Sequence, residues 1–326
     1  MTADAQILTA LRAAPGGLSV ADLAERVGLS RTALQTRLEG LRALGYGIET
    51  GPHRGCRLAS VPDVLHADDL LSRLGTTRRV IGRDIRVFQE TTSTNDVAEK
   101  LARDHVAEGV VVFAEAQSQG RGRLGRKWIS PARKGLWFSV LLRPPLSPQS
   151  ITQLTVAAAT ALVRAIRHQI PATPQIKWPN DVLLNGRKCA GLLTETSGEL
   201  DSVRHAILGI GVDVNLTSDE FPPELRPLAT SLRIELGQRI DRPALAAQIL
   251  RELDRDYGRI CAGRFEEVAE EWEQLCTTIG RRVVARQGDR RIEGCAEALD
   301  SAGALQLRTQ HGRLERVTGG EITVDP

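Results

Sequence analysis

The first sixty residues place apolar side chains at a helical period. Ile7, Leu8 and Leu11 recur at that spacing, and Gly16-Gly17 closes the segment. Ser19 is placed to cap a short helix through Val27, with Gly28 as its stop. Ser30 then caps a third helix that carries Leu34, Leu38, Leu41 and Leu44 and ends at Gly45. Two helices joined by a short glycine-containing turn, at about 20–39, form the pattern of a helix-turn-helix whose later helix reads DNA. Tyr46 to Leu58, with Gly47, Gly51-Pro52 and Gly55, suits a two-stranded wing. A small three-helix domain that binds protein would show the same periodicity.

Farther along the pattern changes. A winged helix-turn-helix over 1–62 gives way to a helical linker over 63–82, and over 83–277 strands and helices mix. Asp84–Phe88, Val110–Glu115 and His205–Val214 read as strands, Ile151–His168 as a nearly all-apolar, buried helix, and Arg242–Cys261 as another helix. Asn185-Gly186 is a type I′ hairpin signal between Asp181–Leu184 and Arg187–Thr194. Hairpins inside a strand–helix mixture predict a mixed or antiparallel sheet with packed helices, not a doubly wound parallel sheet. Residues 278–326 hold only strands and turns, enough for a small barrel of about five strands. The predicted fold class is therefore α+β, in several domains.

Composition narrows the class. With 326 residues, 41% hydrophobic and 25% charged, the chain is an ordinary globular protein of two or three domains, not a disordered, collagenous or coiled-coil one. Five scattered cysteines without a Cys-x-x-Cys pair argue against a disulfide scaffold or zinc ribbon and for a reducing cytosol. The six histidines show no metal-ligand spacing. Met1-Thr2-Ala3-Asp4 lacks a signal peptide's basic start, and Val156–Ile166, broken by Thr160 and Arg164, is too short to span a bilayer. These features predict a cytoplasmic protein with no membrane partner.

Charge says little by its sum, +3, and more by its kind. Only five of 43 basic residues are lysine, namely Lys100, Lys127, Lys134, Lys177 and Lys188, so a retained lysine marks a place for a compact ammonium. Residues 1–60 carry seven arginines against five acids, a weakly basic +2. Within that unit Ser30, Arg31, Thr32, Gln35 and Arg37 are the third-helix residues expected at DNA, with Arg42, and Arg54 and Arg57 in the wing, available to phosphates.

The most informative stretch runs from Gln117 to Trp128, Gln-Ser-Gln-Gly-Arg-Gly-Arg-Leu-Gly-Arg-Lys-Trp. Four cations alternate with three glycines, and a tryptophan closes the run. Without ligand it should be mobile; with a phosphate, the glycines admit close backbone approach while arginine forks grip the oxygens. The indole can stack on a purine or close an apolar pocket. A nucleic-acid-binding Arg-Gly segment and a solvated loop are the competing readings.

Lys177-Trp178-Pro179-Asn180-Asp181 follows at a strand end, where proline stops the ladder and presents a phosphate-binding cation beside a carboxylate suited to Mg²⁺, unless it is an ordinary turn. Lys188, followed by Cys189-Ala190-Gly191, sits just past a hairpin tip; small neighbours permit a ligand near the backbone, although a solvated lysine fits the same place. Thr92-Ser93-Thr94-Asn95-Asp96 opens a helix, where hydroxyls and backbone N–H groups donate to a carbonyl or anion or simply cap the helix. Gly209-Ile210-Gly211-Val212-Asp213-Val214-Asn215 ends a strand, again with glycines for close approach. It lacks the third glycine and following helix of a dinucleotide fingerprint.

In this order, Ser-Thr-Asn after a strand, the tryptophan-ended arginine block, Lys-Trp-Pro-Asn-Asp, Lys-x-Ala-Gly and Gly-Ile-Gly resemble the biotin–protein ligases. The N-terminal unit makes the chain similar to the bifunctional bacterial type, ligase and biotin-operon repressor in one. That resemblance implies a central sheet like that of class II aminoacyl-tRNA synthetases and an SH3-like C-terminal barrel. It implies ATP and Mg²⁺ as cofactors and biotin as substrate, with a biotin carboxyl carrier domain, operator DNA and, when adenylate-bound, a second copy of the chain as partners. Biotin would be held by Ser93, Thr94, Asn95, Gln117, Arg121, Gly122, Arg123, Lys188 and Gly191. ATP or adenylate would meet Gly120, Arg123, Trp128, Lys177, Asn180, Asp181 and Asn215, with Asp181 at the metal. Arg121, Arg123, Lys177 and Lys188 would carry the chemistry.

Two positions depart from the family pattern. Asp213 stands where asparagine is usual, which puts a phosphate-side role there in doubt, and Leu124 where some relatives have arginine, which bears on dimer strength. A biotin-sensing regulator without ligase activity and a lipoate-type ligase are the competing functions. Intact Arg121, Arg123, Lys177 and Lys188 count against the first, and the tryptophan-ended arginine block against the second.

Overall fold

The computed structural model describes residues 1–51, 55–75, 80–199 and 201–324. Pro52 and Arg54, expected in the wing, lie outside these residues. The chain divides into two units, Met1–Arg78 with Asp241–Ala247, and Arg79–Ile240 with Gln248–Pro326.

In the first unit, side-chain caps set the helix starts. Thr2 accepts from Ala5 N to begin α1 (Ala3–Ala13), Ser19 from Asp22 N to begin α2 (Val20–Val27), and Ser30 from Ala33 N to begin α3 (Arg31–Ala43). Gly28 closes α2 in the left-handed region, φ 65°, at no cost in Cβ clash. Ile7, Leu8, Leu11, Leu23, Leu34 and Leu38 form one buried cluster, which the antiparallel pair β1 (Gly47–Gly51) and β2 (Gly55–Ser60) adjoins through Ile48 and Cys56. The segment expected as a linker carries α4 (Ala67–Leu74), which packs on α1. Its buried Asp69 is ion-paired to both Arg12 and Arg73.

The second unit is built on a seven-stranded sheet. In chain order its elements are β3 (Asp84–Thr91), α5 (Thr94–Arg103), β4 (Val110–Gln117), β5 (Leu136–Leu142), α6 (Thr152–Gln169), β6 (Gln175–Lys177), β7 (Asp181–Leu184), β8 (Arg187–Gly198) and β9 (Val203–Val212). The strand order is β3-β4-β5-β9-β8-β7-β6, with β3 and β4 parallel across the α5 crossover and every other pair antiparallel. The sheet is therefore mixed, as the hairpin signals predict. Asn185 and Gly186 take φ 48° and 77° at the β7–β8 turn, the two positive values a type I′ turn demands. The strand expected to run to Val214 stops at Val212.

α6 is buried along nearly its whole length, and Arg164 within it is held by Glu252, Asp256 and Glu271 rather than by water. α7 (Leu232–Leu236), α8 (Arg242–Cys261) and α9 (Phe265–Leu275) follow. The C-terminal part is a five-stranded antiparallel sheet of β10 (Arg282–Gln287), β11 (Arg290–Leu299), β12 (Leu305–Arg308), β13 (Leu314–Val317) and β14 (Glu321–Val324), ordered β13-β12-β11-β10-β14. Among the described residues no helix is long and apolar enough to cross a membrane.

Candidate active site

A cavity of about 500 Å³ opens over the β4, β5, β9 and β8 strands, a size that accommodates a small organic ligand. Its floor is made of neutral polar groups locked to one another. Thr94, at the start of α5, donates its backbone N–H (2.8 Å) and its hydroxyl (3.2 Å) to Gln117 Oε1 at the end of β4, and Gln117 Nε2 donates to Ser130 (2.9 Å). Ser139 on β5 reaches both Thr94 Oγ1 (2.7 Å) and Asn95 Oδ1 (2.5 Å). Ser93 occupies the N-cap position yet makes no side-chain capping bond, and it lines the cavity. Simple capping therefore does not account for it, and its hydroxyl stays available to a ligand.

The flap is a folded turn. Gly122 N donates to Arg126 O and Trp128 N to Gly120 O, and Leu124 sits at its tip, 69% exposed with φ 56°. Arg121 lies against two carboxylates, Glu195 through Nε and Nη2 (3.1 Å each) and Asp96 through Nη1 (2.6 Å). The hydrogen bond to Glu195 is the largest influence raising its pKa. Arg123 donates to Asn180 (3.1 Å); burial lowers its pKa, with the Asp181 charge opposing that shift. Arg126 pairs with Glu321 of β14, and the backbone around it, Gly320–Thr323, contributes to the cavity wall.

Trp128 forms the ceiling. Its indole stands over Gly211 and Gly191, where a Cβ would come within 2.6 Å and 2.9 Å of the ring, so neither position leaves room for a side chain. At Gly209 a Cβ would meet the carboxamide of Asn95 in the same way. Lys188 Nζ lies 5.2 Å from the Trp128 ring centroid and 2.6 Å from Asp181 Oδ1. Lys177 also faces this space, with no ion-pair partner among the described residues, and buried Trp178 precedes a cis Pro179. Burial holds the Asp213 carboxyl well above the usual carboxylate range, with the Lys188 charge opposing.

Ser93, Thr94, Asn95, Gln117, Arg121, Gly122, Arg123, Trp128, Lys177, Asn180, Asp181, Lys188 and Gly191 thus meet around one cavity. Gly120 and Asn215 stand outside the lining. Gly120 is the close-packed hinge under Trp128 O and Ser130, and the Asn215 amide is spent on Ile240 N and O, 2.9 Å each. Asn95 lines the cavity with both amide ends engaged, one by Ser139 and the other by Glu195 (2.5 Å). Sequence reasoning missed Glu195, Ser139 and the β14 segment, and gave Asp96 no role. Strand alternation carries no signal for partners that meet across the sheet.

In the N-terminal unit, Ser30 at the N-cap and Arg31, Thr32, Gln35 and Arg37 on α3 are all exposed, whereas Leu34 and Leu38 are buried. Arg42 and Arg57 are committed inside the unit, Arg42 to Ile48 O and Arg57 to Glu49. A cavity lined by both neutral donors and several cations can bind a neutral polar ring whose acidic tail reacts with a polyphosphate.

The biotin/lipoate A/B protein ligase family matches residues 87–213, the biotin protein ligase C-terminal domain residues 278–324, and a helix-turn-helix domain residues 4–57. The chain is 37% identical over 300 residues to the bifunctional ligase/repressor BirA of Bacillus spizizenii, covering 92% of this chain and 91% of that protein. It is 31% identical over 310 residues to the protein of that name from Escherichia coli, covering 93% and 91%. A solved biotin protein ligase from Aquifex aeolicus, in complex with biotin and ATP, superposes with a TM-score of 0.64 at 28% identity, covering 74% of this chain and 99% of that one.

Proposed function

The chain belongs to the biotin–protein ligases of the bifunctional ligase/repressor type, and on that premise we propose how its own residues perform the two steps. The observation that carries the assignment is that Arg121, Arg123, Lys177 and Lys188 line the same cavity as the neutral hydrogen-bonding groups of Ser93, Thr94 and Gln117. Ser93, Thr94 and Gln117 hold the ureido ring of biotin. A biotin carboxylate oxygen attacks the α-phosphorus of ATP, the bond to the bridging oxygen breaks, and pyrophosphate leaves with that electron pair. Lys188 and Arg121 neutralise the joining anions, Lys177 and Arg123 the departing one, and Trp128 closes over the adenylate. In the second step a lysine amine of a biotin carboxyl carrier domain attacks the acyl carbon and AMP leaves. A flap that excludes water protects the mixed anhydride between steps.

Asp181 suits Mg²⁺. Its carboxylate lines the cavity beside Lys188, and Mg²⁺ is commonly held by one or two carboxylates together with substrate phosphates. When bound, the ion supplies charge neutralisation to the triphosphate. Incubation with biotin and Mg·ATP followed by mass spectrometry is expected to give biotinyl-5′-AMP and then a biotinylated carrier domain. Absence of adenylate would overturn the assignment.

The repressor role rests on exposed Ser30, Arg31, Thr32, Gln35 and Arg37 at the start of α3. We assign 1–62 to DNA binding, 83–277 to catalysis and 278–326 to the small barrel, in a cytoplasmic protein that dimerises when adenylate-bound. Coupling requires adenylate to favour the DNA-competent dimer. Operator retention that does not respond to adenylate would remove that role.

A further inference from the structure

Arg121 reaches the cavity through an acidic support. Of its five N–H groups, Nε and one on Nη2 go to Glu195 and one on Nη1 to Asp96, which leaves two uncommitted. Glu195 is on β8, the strand that carries Lys188, and its second task is to accept from Asn95 Nδ2 (2.5 Å). Asn95 Oδ1 in turn lies 2.5 Å from Ser139 Oγ, whose one proton it shares with Thr94 Oγ1 at 2.7 Å. One carboxylate therefore ties the neutral floor to the flap's first cation.

We propose that Glu195 is a positioning residue for the first step: it fixes the Arg121 guanidinium so that the two remaining N–H groups meet the carboxylate of the bound acid. The inference rests on the biotin-ligase reading of the cavity. The Arg121 and Glu195 side chains are 36% and 40% exposed, so the pair adds little to folding stability and its value lies in orientation. A fork held in place loses less freedom when it binds an anion bidentately.

The test is steady-state adenylate formation by the full chain with biotin and Mg·ATP. Glu195→Ala is expected to raise KM for biotin about 10- to 100-fold, the worth of charge-assisted hydrogen bonds, while KM for ATP and Tm stay near the parent values. Glu195→Gln, which keeps one acceptor oxygen, falls between. In an Arg121→Ala background, Glu195→Ala should add almost nothing, because the effect passes through that arginine. A KM for biotin unchanged or lowered by Glu195→Ala, or full additivity in the double variant, overturns the proposal while leaving the function intact. A parent protein that makes no adenylate overturns the function itself.

Discussion

The floor of the cavity and the flap above it are built on opposite physical plans. Thr94, Asn95 and Ser139 are at most 4% exposed, uncharged, and bonded to one another across two elements, α5 and β5. The flap is cationic, largely exposed and held by its own turn and by carboxylates at its rim. Buried neutral groups with satisfied partners discriminate by shape and hydrogen bonding, because a ligand lacking a matching group leaves them unpaired. Cations on a glycine-bearing turn meet a highly charged ligand with much of their charge still facing water, Arg126 most and Arg123 least. Recognition is thus rigid where the ligand is neutral and adaptable where it is anionic.

Four changes break or sharpen this contrast. Lys188→Ala removes the cation that stands between Asp181 and the Trp128 ring and is expected to lower adenylate formation by about 10²–10³-fold. Exposed Lys100 on α5 serves as the control, with no measurable change when replaced by alanine. Gln117→Ala leaves the Thr94 N–H without its partner, and a buried donor so stranded is worth about 1–3 kcal/mol, read as KM for biotin rising roughly tenfold.

Asp213→Asn tests the cost of burying a carboxyl beside Lys188. With its folded-state pKa raised, Asp213 keeps a proton that the unfolded chain has already released, so stability falls as pH climbs from the ordinary carboxylate range towards the raised value. The asparagine variant should gain about 2–4 °C in Tm at pH 8 and less at pH 5. Arg126→Ala tests the rim. Its pair with Glu321 is 71% and 46% exposed, so adenylation should change less than about threefold, and less still in high salt.

Much of this was legible before any coordinates. Ser19 and Ser30 announce their helices because capping is local, Asn185-Gly186 its hairpin because two positive φ values need those residues, and the arginine block its place at the cavity because charge and glycine alternate within twelve positions. Glu195 and Ser139 were not legible. Each lies in an ordinary strand pattern, and its meaning depends on a partner 44 to 100 residues away. Asn215 misleads for the same reason: its neighbours in sequence line the cavity, whereas its amide closes a loop to Ile240. α4 shows the limit from the other side, since a short amphipathic helix after a domain reads as a connector until its partner α1 is known.

The glycines at 209 and 211 occupy one face of β9, each surrendering its side-chain volume to a visitor from elsewhere, Asn95 in one case and Trp128 in the other. Replaced exhaustively, this strand would behave like a comb. Alanine, ordinarily the gentlest exchange, would be refused at both teeth, while Ile210 between them, facing the opposite layer, would accept its aliphatic cousins.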